Sequence, residues 1–165
     1  VAFALIFLPT PPARGSQRRL YRQSYLTVIS WAQGMILMIY TLAGLWKVLY
    51  GIHQSIHAPV SAFSLKGFSY LVADRLLQTG TTSLLGPLVI ETPLFGWILL
   101  NLGIVIEVFA LLIIFRPVLH RLWGVLLIAL HIGSALILTV SFTPNIVLLV
   151  LFLILPLSRG SGRCV

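Results

Sequence analysis

The stretch FGWILLNLGIVIEVFALLIIF (95–115), the turn RPVLHR (116–121) and the run LWGVLLIALHIGSALILTV (122–140) decide the fold class. Each long run holds about the 20 apolar residues that a helix needs to cross the hydrocarbon of a bilayer. Neither contains proline, and their only ionisable side chains are Glu107 and His131. The short arginine-bearing link makes them an antiparallel helical hairpin with its turn in water.

The same reading extends in both directions. Residues 25–50 form another apolar run, with Trp31, Trp46 and Tyr50 placed as interfacial anchors. Residues 145–157 are a shorter one. Residues 2–8 end at Pro9 and are too short to span, so the chain, which starts at Val1, reads as the C-terminal part of something longer. Residues 10–24 hold a Pro-Pro pair and four arginines, which hydrocarbon does not accept, and read as a cytoplasmic loop. Residues 51–94 read as a non-cytoplasmic segment broken by Pro59, Gly80 and Pro93. Within it Leu65, Phe68, Leu71, Val72 and Leu76 recur at helical spacing, which predicts an amphipathic helix over 64–77. The expectation is all-α: a polytopic membrane helix bundle of about four hydrophobic spans plus one amphipathic helix, forming a single membrane domain over 1–165.

Composition agrees. Of 165 residues, 59% are hydrophobic and 8% charged, against about 25% charged in soluble domains. The net charge of +8 would suggest nucleic acid on a soluble chain. Here no basic stripe interleaved with aromatics occurs, so nucleic acid is not an expected partner. Arg14, Arg18, Arg19 and Arg22, then Arg116 and Arg121, then Arg159 and Arg163 fall on one side of the expected topology without an acid. The positive-inside rule makes that side, and the C-terminus, cytoplasmic, which implies an inner or plasma membrane. Cys164 is the single cysteine, so no intrachain disulfide can form.

Ionisable groups inside apolar runs are costly and mark inward-facing positions. Glu107 and His131 each lie about 12 to 14 Å from the shared turn at 1.5 Å per residue, so they are expected to meet across the hairpin. Two readings stand side by side: a proton-handling or ligand-orienting pair, and a plain interhelical hydrogen bond. Lys47 near the end of 25–50 is either a snorkelling lysine or a general base towards a hydroxyl on a lipid-soluble substrate. His53 and His57, spaced i and i+4, are candidate metal ligands without a third. His131 is a candidate ligand for haem or another pigment. No phosphate loop, CxxCH or HExxH motif is present.

The run QGMILMIYTLAGLWK (33–47), followed by Glu107 with Arg116, then His131, Phe142 and Asn145, resembles the HTTM (horizontally transferred transmembrane domain) family. That family includes the membrane part of vitamin K-dependent gamma-carboxylases. The resemblance implies a base at Lys47 acting on a hydroquinone, with Tyr40, Glu107, His131 and Asn145 around it. The acidic and Trp-Gly residues usual after the lysine are replaced by 48–57, and the lumenal peptide-binding domain has no counterpart, so carboxylation of a protein is not implied. Two functions are expected from these readings. One is an accessory subunit packed among other membrane subunits of a larger redox or photosynthetic complex. The other is a quinone- or lipid-interacting protein with an intramembrane Lys/Glu/His pocket.

Overall fold

The computed structural model describes residues 18–154, with side chains from residue 22 and without that of Pro117. The apolar segment 2–8, most of the loop 10–24, the arginines at 14, 159 and 163 and the C-terminus lie outside the described residues. The described residues are helical, with no strand among them.

Helix α1 covers Arg18–His57, 40 residues without a proline. At 1.5 Å per residue it is about 60 Å long, twice the hydrocarbon thickness of a bilayer. It therefore begins inside the stretch read as loop and continues two turns past Tyr50. The extension at its far end is held by tertiary contacts. The Gln54 side-chain oxygen accepts the Ala62 N–H at 3.1 Å. Gly51 lies so close to the Phe63 ring that a Cβ would sit 2.4 Å from it. The chain then doubles back into α2 (Gly67–Thr79), which ends on Gly80 in the left-handed region at φ 61°.

A short α3 (Gly86–Glu91) and α4 (Pro93–Val108) follow, each with proline in its first turn, where the missing N–H costs nothing. After α4 the chain tightens into a 3₁₀ segment, Ala110–Phe115. The cause is on α1. The Thr41 hydroxyl accepts the Leu111 N–H at 2.9 Å and donates to the Glu107 carbonyl at 3.3 Å. Those two backbone groups are the ones an α-helix would join to each other, so the hydroxyl is inserted into the ladder. The apolar run 95–115 is thus an α-helix followed by a tighter turn of 3₁₀.

Helix α5 (His120–Leu138) ends on Thr139, whose φ of 57° is the single positive value on a non-glycine residue among those described. Helix α6 (Thr143–Leu149) passes into a π turn, Val150–Ile154. Gln33 of α1 donates to the Phe152 carbonyl of that turn at 2.5 Å.

The main core lies between α1, the 3₁₀ segment, α5 and the π turn, with Ala32, Leu37, Ala110, Leu127 and Leu149 fully buried. A smaller core of Phe68, Val72, Val89 and Ile137 lies where α2 and α3 cover one end of α5. The amphipathic helix expected over 64–77 starts three residues later, at Gly67. Leu65 precedes it and Leu71 faces outward, so Phe68 and Val72 carry its buried face. Gly67 allows the tight approach, since a Cβ there would meet the Ser61 carbonyl at 2.1 Å.

Two helices, α1 and α5, are long and apolar enough to cross a membrane, while α4 and the 143–154 helix are shorter. Only 28% and 22% of their most apolar windows are buried inside the protein. A soluble core helix would bury most of such a surface. Trp31 and Trp46, at 71% and 70% exposure, stand on the outward face of α1.

Candidate functional site

Three helices bring the polar residues of the apolar runs to one place. Tyr40 and Lys47 lie seven residues apart on α1, two turns along one face, so their side chains project to the same side about 10 Å apart along the axis. Glu107 lies at the end of α4, where Thr41 interrupts the backbone ladder. Gly44 sets its distance from α1: a Cβ on Gly44 would come within 2.8 Å of both Glu107 Cβ and the Val108 backbone nitrogen. Without that side chain the two backbones close up, and Lys47 Nζ donates to both Glu107 oxygens at 2.6 Å. The pair is unequal. The Glu107 side chain is 6% exposed and that of Lys47 is 49% exposed.

His131 projects from the middle of α5 towards α1. The backbones of α1 and α5 do not pack directly; the gap is bridged at one point by Tyr40 Oη and His131 Nε2 at 2.6 Å. Both side chains are buried. Phe142, from the link after α5, sets its ring against the imidazole with centroids 5.0 Å apart. Donor and acceptor in the Tyr40–His131 bond follow from the imidazole tautomer.

The gap is a cavity of about 470 Å³ lined by Tyr40, Lys47, Glu107, His131 and Asn145 among apolar side chains. That size and that mix of many apolar walls with a few convergent polar groups are typical of small-molecule sites. All five residues singled out from the sequence for a pocket therefore line one cavity. Their pairing differs from expectation. Glu107 and His131 do not bond each other across the hairpin; Glu107 turns to Lys47 and His131 to Tyr40. Equal depth placed both at one level, but depth says nothing about which way around the helix each points.

The Asn145 backbone N–H is taken by the Phe142 carbonyl, and its side-chain amide has no hydrogen-bond partner among the described residues. The His53 and His57 rings lie 4.6 Å apart between centroids, tilted by 47°, on the exposed last turns of α1. No cluster of three or more His, Cys, Asp or Glu able to hold a metal occurs among the described residues. A haem or pigment metal on His131 Nε2 would have to displace Tyr40. Thr41 escaped the sequence reading, and Gly44, which falls in the run 33–47, was not read there as the point where two helices close up. Their one signal is position, on the helix face beside Tyr40 and one turn before Lys47, and it is uninformative until the facing helix is known.

Removing the phenol hydroxyl tests the Tyr40–His131 bond. Tyr40→Phe is expected to cost about 1 kcal/mol of stability, the size of an interhelical polar bond in a membrane protein. Detergent unfolding curves should show no further loss when His131→Phe is added. Additive costs would mean that the two side chains do not act as a pair.

Comparison of the chain with models of known families, with curated proteins and with solved structures returned no match.

Proposed function

We propose that this chain is a membrane-embedded bundle of about four hydrophobic segments whose internal pocket holds a lipid-soluble molecule of the quinone class. The observation that carries the reading is the pair of polar contacts, Tyr40–His131 and Lys47–Glu107, set two turns apart in one mainly apolar cavity. A ring with oxygens at opposite edges offers hydrogen-bonding atoms in two directions and apolar faces between them. Lys47, held by Glu107, can donate to an oxygen or its anion, and Tyr40 with His131 can exchange a proton at the other edge. The gap between α1 and α5 gives such a molecule a lateral approach from the bilayer. The resemblance of 33–47 and the following Glu, His and Asn to the HTTM family supports the same reading.

An accessory subunit is the second reading. It is favoured by the outward face of α1, where Trp31, Leu49 and Ile56 are each more than half exposed and could be covered by a neighbouring subunit.

The two readings separate on quinone content. Protein extracted in mild detergent is expected to carry ubiquinone or menaquinone at close to one equivalent, measured by solvent extraction and ultraviolet difference spectra. His131→Phe should lower that content several-fold. A quinone-free protein that also fails to bind added short-chain quinone, and that migrates only within a larger complex, would overturn the first reading in favour of the second.

A further inference from the structure

A second cavity, of about 270 Å³, lies at the α2 end of the bundle. On the α2 side it is lined by Asp74, Arg75 and Gln78 together with Leu71, and on the other by the apolar Leu138 and Val140. Leu138 and Val140 also line the inner pocket. The two spaces therefore share a wall two side chains wide.

That wall is carried by the residue with the least favourable backbone. Thr139, between the two, holds φ 57°, a conformation that branched side chains rarely adopt and that tertiary contacts must impose. Here the contacts are visible: the Thr139 hydroxyl meets that of Thr81 at 3.2 Å, and Thr81 meets Thr79 of α2 at 2.7 Å. Leu85 N–H donates to the Leu136 carbonyl at 3.0 Å just before the wall. Segment 138–140 is thus pinned to the helix that carries the polar lining.

We infer that the outer cavity is the aqueous approach to the inner pocket, admitting water and small solutes carried in it, with Leu138 and Val140 as the barrier between them. A lipid-soluble ligand would use the gap between α1 and α5 instead, so the site would have one apolar and one aqueous opening. The charges fit an aqueous role: Asp74 and Arg75 are exposed, and Asp74 accepts from Gln78 at 2.7 Å. The inference rests on the ligand-pocket reading only for its purpose, since the opening itself is testable without any ligand.

The test is thiol labelling of the full chain in lipid nanodiscs, in a Cys164→Ser background, with a trimethylammonium methanethiosulfonate reagent that lipid excludes. Ser134→Cys places a thiol on the inner pocket, and Gln78→Cys places one in the outer cavity. Both are expected to react. Adding Val140→Trp should slow the Ser134→Cys reaction roughly ten-fold or more, which corresponds to a barrier raised by one decade in rate. It should leave the Gln78→Cys rate unchanged. Val140→Ala should speed the inner reaction and gives an independent reading if the tryptophan variant does not fold. An inner thiol that never reacts, or whose rate ignores both Val140 variants, overturns the inference. Because no quinone is involved, its failure is separable from failure of the ligand reading.

Discussion

Replacing Lys47 by methionine is expected to destabilise the protein by about 3 kcal/mol, more than any conservative change at Glu107. The asymmetry follows from burial. Glu107 is 5% exposed and both its oxygens are bonded to Lys47, so Lys47→Met leaves a carboxylate among apolar side chains with neither oxygen satisfied. Glu107→Gln leaves an amide oxygen still able to accept from Lys47. That ammonium, on a half-exposed side chain, can also reach outward, so the loss should be about 1 kcal/mol. Joining Lys47→Met to Glu107→Leu removes both charges and should return most of the stability, because an apolar pair of similar volume replaces an ion pair at little net cost. Unfolding in mixed micelles titrated with dodecyl sulfate measures all three. Equal costs for the two single variants would refute the unequal burial on which the argument rests.

The second large effect is expected at Gly44. In an exposed helix position, glycine to alanine stabilises by up to about 1 kcal/mol through the unfolded chain. Gly133 of α5, half-buried but with nothing within 4 Å of where a Cβ would stand, offers the same freedom. Gly44→Ala should do the opposite. Its Cβ would lie 2.8 Å from the Val108 backbone nitrogen, which cannot rotate away as a flexible side chain can. Either α1 and α4 separate or the protein carries the strain, at about 3 kcal/mol before the helix-propensity gain is subtracted. Separation would also draw Glu107 away from Lys47 and loosen the Thr41 insertion, so quinone content should fall with stability. Gly133→Ala serves as the matched control and should change neither downward. A Gly44→Ala protein as stable as the original would mean that the close approach of the two helices is not required.

These expectations rest on two kinds of information. Helix class and the positions of the breaks were legible in the sequence, because both are local. Apolar runs without proline form helices in hydrocarbon whatever surrounds them, and prolines 59, 87, 93 and 144 fall in links or first turns, where their missing N–H is harmless. That Glu107 and His131 turn inward was legible too, because an ionisable residue in an apolar run has few stable places except the interior, whereas Tyr40 and Asn145 entered only through the resemblance. The extra turns of α1, the 3₁₀ end of α4 and the π turn after α6 were not. The last two carry contacts from far along the chain, Thr41 on Leu111 and Gln33 on Phe152, and the α1 extension is held by Gln54 on Ala62, eight residues on.

By itself, the sequence determined that the described chain is helical, where its helices break and which polar side chains must turn inward, since these follow from composition and period along one axis. Which inward side chains meet was decided only by tertiary structure. Rise per residue locates a group along its helix, but its direction around the helix is set by how closely two backbones can approach, and that depends on Gly44 lying opposite Glu107.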